Sequence, residues 1–120
     1  MTDWRDTWDA HADAEAARYD AMTVPQLLAE IRAGRFGDYQ TIWQALARKP
    51  HARDATWTLF DVLESDAPYL ARYHCAAALM SALACTEFGP VDLSAKRPTL
   101  TANLARVRTQ IERVLGPRPA

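Results

Sequence analysis

Apolar residues return along this chain at intervals of three and four, and proline and glycine fall between the periodic stretches. That spacing is the mark of amphipathic helices, while no run alternates with the period of two that a half-buried strand needs. The pattern predicts six helices. The first covers residues 3–20, with Trp4, Trp8 and His11 on one face. Its stripe weakens after His11, so the first half is expected to be the packed part. The second opens at Thr23-Val24-Pro25-Gln26, which has the form of a capping box with proline in the first turn. Met22 and Leu27 stand where a hydrophobic staple would close, Leu27, Leu28 and Ile31 make the buried stripe, and Gly34 ends the helix in the left-handed conformation. The third is expected to start at Gly37-Asp38, with Tyr39, Ile42, Trp43 and Leu46 on one face, and to stop at Pro50.

The fourth helix covers about residues 52–64, with Ala55, Leu59, Val62 and Leu63 inward. The fifth covers about 66–86, capped by Asp66 or Ser65, with Pro68 in its first turn. Tyr69, Tyr73, Ala76, Ala77, Met80, Leu83 and Ala84 leave it almost no polar face, which marks the buried centre of a domain. Residues 87–98 have no period and read as a loop. The sixth helix, 99–115, carries Leu100, Leu104, Val107, Ile111 and Val114, the cleanest stripe in the chain. The expected fold class is all-α: one domain of about six helices, built as a right-handed array of helical hairpins or as a compact bundle.

From Asp66 the sequence runs D-A-P-Y-L-A-R-Y-H-C-A-A-A-L, and this resembles the second half of a HEAT-type helical repeat. That pattern has an aspartate before the second helix, an arginine six residues on, two small residues and an Ala-Leu pair. Asp66, Arg72, Cys75, Ala76, Ala78 and Leu79 stand in those places. Small residues let helices approach closely, and an arginine there can bond the aspartate and the open carbonyls of the preceding turn. Ala45-Leu46 precedes Ala78-Leu79 by 33 residues, a plausible repeat period, although the aspartate and arginine places before it are not filled. The resemblance spans one good unit, about 52–84, and one degenerate unit, about 23–49. It implies that Asp66 and Arg72 are structural and that the array binds another macromolecule.

Length and composition narrow the function. A chain of 120 residues suits one domain, and 49% hydrophobic with 24% charged residues is ordinary for a globular protein. A formal net charge of -1 argues against a dedicated nucleic-acid binder. No apolar run approaches the roughly 20 residues of a membrane span, and the acidic start does not read as a signal peptide. Cys75 and Cys85 lie ten residues apart on one predicted helix, about 15 Å by helical rise, so they cannot pair with each other. Reduced thiols are the expectation, and with them a bacterial-type cytoplasmic setting. Charge is uneven along the chain: residues 1–20 carry six acidic and two basic groups, and residues 91–120 carry six basic and two acidic. The two ends either pack or pair with each other, or they present a polarised surface.

Little in the sequence points to catalysis. His11, His51 and His74 have no metal-ligand spacing, there is no CxxC, and the four glycines form no phosphate loop. Asp6, Asp9 and Asp13 share a helix face, which reads as a solvated acidic stripe. Cys75 sits in a small-residue run where a thiol is buried and inert. No cofactor or metal is expected. The function expected is non-catalytic protein binding, of adaptor or inhibitor type, through the surface around Tyr39, Trp43, Arg72, Tyr73 and His74, with Arg106 and Arg113 forming a basic patch. Trp4 and Trp8 either cap the apolar face of the second helix or form a hot spot for a partner. The sixth helix offers a route to self-association. Two alternatives remain open: a nucleic-acid-associated domain using Lys96, Arg97, Arg106 and Arg113, and a small-molecule pocket lined by Trp43, Tyr73 and His74.

Overall fold

The capping box at Thr23 forms as its residues dictate. The Gln26 N–H donates to Thr23 Oγ1 at 3.3 Å, and the Thr23 N–H donates to Gln26 Oε1 at 2.8 Å. Ala33 and then Gly34, at φ +77°, close the same helix. The computed structural model describes residues 4–50, 52–83 and 97–119, apart from the side chains of residues 52, 54, 97 and 98. They form α1 (Trp4–Asp20), α2 (Val24–Arg32), α3 (Thr41–Ala47), a 3-10 turn (Ala52–Ala55), α4 (Thr56–Glu64), α5 (Tyr69–Ala82) and α6 (Arg97–Leu115), with no strand among the described residues. The fold is all-α. His51, Cys85, Lys96 and most of the expected 87–98 loop lie outside the described residues.

Several boundaries differ from the sequence pattern, those of α3 and α5 for a clear local reason. α3 starts at Thr41 and not at Asp38, because Gly37 (φ +79°) and Gln40 (φ +60°) both take left-handed conformations that interrupt a helix. α5 starts at Tyr69, and neither Asp66 nor Ser65 caps it. Ser65 Oγ instead donates to the Val62 carbonyl at 2.6 Å and accepts from the Ala67 N–H at 3.2 Å, closing the turn after α4. Pro68 disfavours the helical region for Ala67 before it, and Pro68 itself stands extended at the N-cap, with φ -54° and ψ 146°. α6 begins at Arg97, two residues earlier than expected.

The helices pack in the order α1, α3, α5, α4, α6, with α2 against α3 and the 3-10 turn. Leu27, Ile31, Ile42, Leu46, Leu59, Phe60, Leu63, Leu79 and Ile111 fill the core around Trp43. Each aliphatic side chain of this kind contributes roughly 1.5–3 kcal/mol on burial. The fully buried Trp43 keeps its indole N–H satisfied by Gln40 Oε1 at 2.8 Å, and Phe36 lies 5.1 Å from it, centroid to centroid.

α1 reverses the expectation drawn from its stripe. Its second half is the packed part, through Glu15 and Tyr19, and its first turns stand in water, with Trp4 69% and Trp8 53% exposed. The docked face consists of small and polar residues, Ala12, Glu15, Ala16 and Tyr19, which a search for apolar periodicity passes over. α6 follows its stripe except at the end: Val107 and Ile111 are buried, Leu100, Leu104 and Leu115 pack half-buried beside them, and Val114 is exposed. The chain after α6 folds back on α4. Arg118 donates two hydrogen bonds to the Asp61 carboxylate, both at 2.7 Å, and Arg108 and Arg118 lie 5.8 and 5.3 Å from the Trp57 ring centroid.

Candidate functional site

The residues expected to share one binding surface are dispersed by the fold. Trp43 is fully buried in the core. Tyr39 faces α1, where its backbone N–H donates to Glu15 Oε2 at 3.0 Å, its hydroxyl lies 3.3 Å from His11 Nδ1, and the Trp8 ring meets it edge-on at 4.6 Å. Arg72 Nε donates to the Ala67 carbonyl at 3.0 Å, bracing the α4–α5 turn; no ion pair joins it to the exposed Asp66. The bond to an open carbonyl, expected for that arginine, is therefore present, and the bond to the aspartate is not. Tyr73 and His74 alone stay together, their rings edge-on at 5.4 Å. His74 lines a groove of about 290 Å³ between α3 and α5, together with Gln44, Arg48, Ala77 and Ser81. That groove includes neither Trp43, which is fully buried, nor Tyr73.

The charged ends do not pair with each other among the described residues. Arg48 bridges Asp20 at 2.9 Å, and Lys49 bonds the Asp20 carbonyl, so the C-terminal end of α1 is tied to α3. Arg108 pairs with Glu112 and Arg118 with Asp61. The exposed Arg106 and Arg113 donate to the neutral amides of Asn103 and Gln110, at 2.6 and 3.4 Å. Asp6, Asp9 and Asp13 are exposed on α1.

The α1 contact is built around one polar cluster. Glu15 is nearly buried, and its Oε2 takes the Tyr39 N–H; its Oε1 has no hydrogen-bond partner and lies where a side chain on Gly37 would fall. Tyr19 is buried beside it, and its hydroxyl accepts from Arg18 Nη2 at 3.0 Å. Burial pushes the Tyr19 phenol above its ordinary value of 10.0, with the Glu15 and Glu30 carboxylates adding to the rise and the Arg18 charge opposing it. Beyond this cluster, Trp4 and Trp8 form an open shelf of about 420 Å³ with Arg5 and Asp9, and the Arg5 guanidinium lies 5.5 Å from the Trp4 ring centroid.

A second apolar surface was named in the sequence only through Tyr73. Tyr69, Leu70 and Tyr73 on α5 are 49%, 54% and 54% exposed, and the two tyrosine rings lie 6.4 Å apart. A helix apolar on all sides reads as fully buried, yet α5 is covered only on the side of Ala71, Cys75, Ala78 and Leu79. The signal was there in the excess of apolar positions over what one packed face can use. A third surface is an open groove of about 600 Å³ between α2 and the α4–α5 turn, floored by Ile31, Phe36, Val62 and Pro68.

Cys75 behaves as a packing residue. Its thiol donates to the Leu59 carbonyl at 3.2 Å, and burial raises its pKa far above the ordinary thiol value, so it stays protonated. No group of three or more histidine, cysteine or acidic residues converges on a metal-sized site among the described residues. No helix among them is long and apolar enough to cross a membrane. The chain matches no protein-family model, and no curated protein or solved structure shows significant similarity to it.

Proposed function

We propose that this chain is a non-catalytic protein-binding module, of adaptor or inhibitor type, that engages another protein through the exposed end of α1. The observation that carries this reading is the pair of solvent-facing indoles, Trp4 and Trp8, on the first turns of a helix whose second half is locked into the fold. Tryptophan is the residue most enriched where binding energy concentrates, and burying an indole against a partner recovers apolar area that water now covers. The fold holds Trp8 in place through Tyr39, so its ring is presented in a set orientation and little ordering is left for association. Asp6 and Asp9 beside the indoles favour a partner with basic residues around an apolar centre. The helical-repeat reading of residues 23–84 is part of the same proposal, supported by the Arg72 brace and by the close α4–α5 contact at Cys75 and Leu59.

The test compares capture by the native chain with capture by a Trp4→Ala/Trp8→Ala variant, from a lysate of the source cells. Trp4 is mostly exposed and Trp8 meets the fold edge-on at Tyr39, so the variant should stay folded and lose about 0.5–1.5 kcal/mol of stability. The reading expects a stoichiometric protein that binds the native chain in about 0.5 M salt, where long-range charge effects are screened, and that the variant loses. Equal retention of every captured protein by the two chains would overturn it.

A further inference from the structure

The bare face of α5 and the groove beside it have complementary features within a single molecule. We propose that α5 pairs with α5 of a second copy of this chain across a two-fold axis, Tyr73 of each copy entering the His74 groove of the other. This inference is independent of the α1 surface.

Three observations carry it. First, the face is free of charge. From Tyr69 to Leu83 the only charged side chain is Arg72, which is tied to the Ala67 carbonyl and stands more than a quarter-turn from the centre of the exposed face at ~100° per residue. A two-fold interface sets each patch against itself, so a face carrying charges of one sign would repel its copy; this face has none to repel. Secondly, side-chain size is graded along the helix. On the exposed face Tyr69, Leu70 and Tyr73 occupy its N-terminal half and Ala77 and Ser81 its C-terminal half, with Met80 half-buried beside them. An antiparallel pair with its axis beside the turn from Tyr73 to Ala77 sets Tyr73 over Ala77 and Tyr69 over Ser81 of the second copy, large against small at both steps. Thirdly, the small end already holds a recess. The groove of about 290 Å³ is lined by the methyls of Ala47, Ala77 and Ala78 and by the polar side chains of Gln44, Arg48, His74 and Ser81. That suits a tyrosine, whose ring needs apolar walls and whose hydroxyl needs a partner such as the Gln44 amide or the His74 imidazole. Arg48 in that lining is already paired with Asp20, so the two copies do not bring bare cations together.

Sedimentation of the native chain from micromolar to near-millimolar concentration should give a concentration-dependent species of twice the chain mass. Ala77→Glu keeps a good helix former at an exposed position and places two carboxylates beside the axis; it should raise the dissociation constant by more than about tenfold while leaving the far-UV circular dichroism unchanged. A cross-linking pair provides a second, geometric readout. In a Cys85→Ser background, Tyr69→Cys and Ser81→Cys chains should form a disulfide-linked dimer when mixed and none when each is oxidised alone, because like positions lie about 18 Å apart in this pairing. A native chain that is monomeric throughout, a dimer indifferent to Ala77→Glu, or cross-links within either population alone would each overturn the proposal.

Discussion

α1 and α6 both flank the central helices, and they dock by opposite means. α6 lays an aliphatic stripe, Val107 and Ile111, into the core, with Arg108 and Arg118 beside the Trp57 ring at the edge of the contact. α1 instead presents a carboxylate and a phenol, Glu15 and Tyr19, to a bend in the chain held by Gly37 and Tyr39. An aliphatic stripe tolerates small shifts of its partner, since dispersion and water exclusion have no preferred direction. A buried carboxylate tolerates almost none, because an acceptor that loses its donor is left with its desolvation cost. The first kind of docking is written in one helix; the second is divided between two distant segments.

The largest effect expected is at α6. Ile111→Ala removes a fully buried side chain and leaves a cavity, which should cost roughly 2–5 kcal/mol of stability in urea unfolding. If the contact works as described, the loss should leave the Trp8–Tyr39 contact of the folded state intact, read from the indole N–H resonance of Trp8. A loss well under about 1 kcal/mol would mean that α6 does not depend on its stripe, and the contrast with α1 would fail.

Gly37→Ala probes α1 in the same way, with Gly34 as its control. Both glycines have φ near +78°, at +77° and +79°, so alanine at either position carries a left-handed strain of about 1–2 kcal/mol. Around Gly34 a methyl meets open space, whereas at Gly37 it falls on the Glu15 carboxylate and close to the Tyr19 hydroxyl. Glu15 must then leave, and the Tyr39 N–H loses a charge-assisted bond of about 1.5–3 kcal/mol. Gly37→Ala should therefore destabilise more than Gly34→Ala by at least about 1 kcal/mol, with a change in the Trp8 signal that Gly34→Ala does not produce. Equal losses at the two glycines would remove Glu15 from the account of how α1 is held.

The same contrast decides what was legible in the sequence. The α6 stripe and the α2 capping box rest on spacing within one segment, and both appear as read apart from the exposed Val114, as does the all-α class. The α1 contact rests on Glu15 meeting a backbone N–H 24 residues away, across a glycine whose role is to have no side chain. Nothing in the periodicity of residues 4–20 encodes that meeting, so the stripe of Trp4, Trp8 and His11 pointed to the wrong half of the helix. For α5 the error lay elsewhere. Apolar residues all round were read as full burial, although a six-helix domain of this length covers only one side of its central helix. The grouping of Tyr39, Trp43, Tyr73 and His74 failed because α3 turns Trp43 inward and the left-handed Gln40 separates it from Tyr39.

The smallest effect expected is a change of slope at alkaline pH, and it sharpens the α1 side of the comparison. Burial raises the Tyr19 phenol above its unfolded value of 10.0, with Glu15 and Glu30 adding to the rise and Arg18 opposing it. The folded chain thus holds this proton more tightly than the unfolded chain does. Its contribution is whole below pH 10.0, because both states are then protonated. It is lost as pH climbs from there through the folded value, because the unfolded phenol ionises first and favours unfolding. Tyr19→Phe keeps the ring and deletes the titration. At about pH 8 it should cost only about 0.5–1.5 kcal/mol for the bond from Arg18, and above about pH 10 its stability should fall less steeply than that of the native chain. Urea unfolding of both chains across that range measures the two slopes. Because Glu15 contributes to the rise, a Glu15→Gln chain should show a shallower alkaline decline than the native one for the same reason, tying the phenol to the carboxylate that docks the helix.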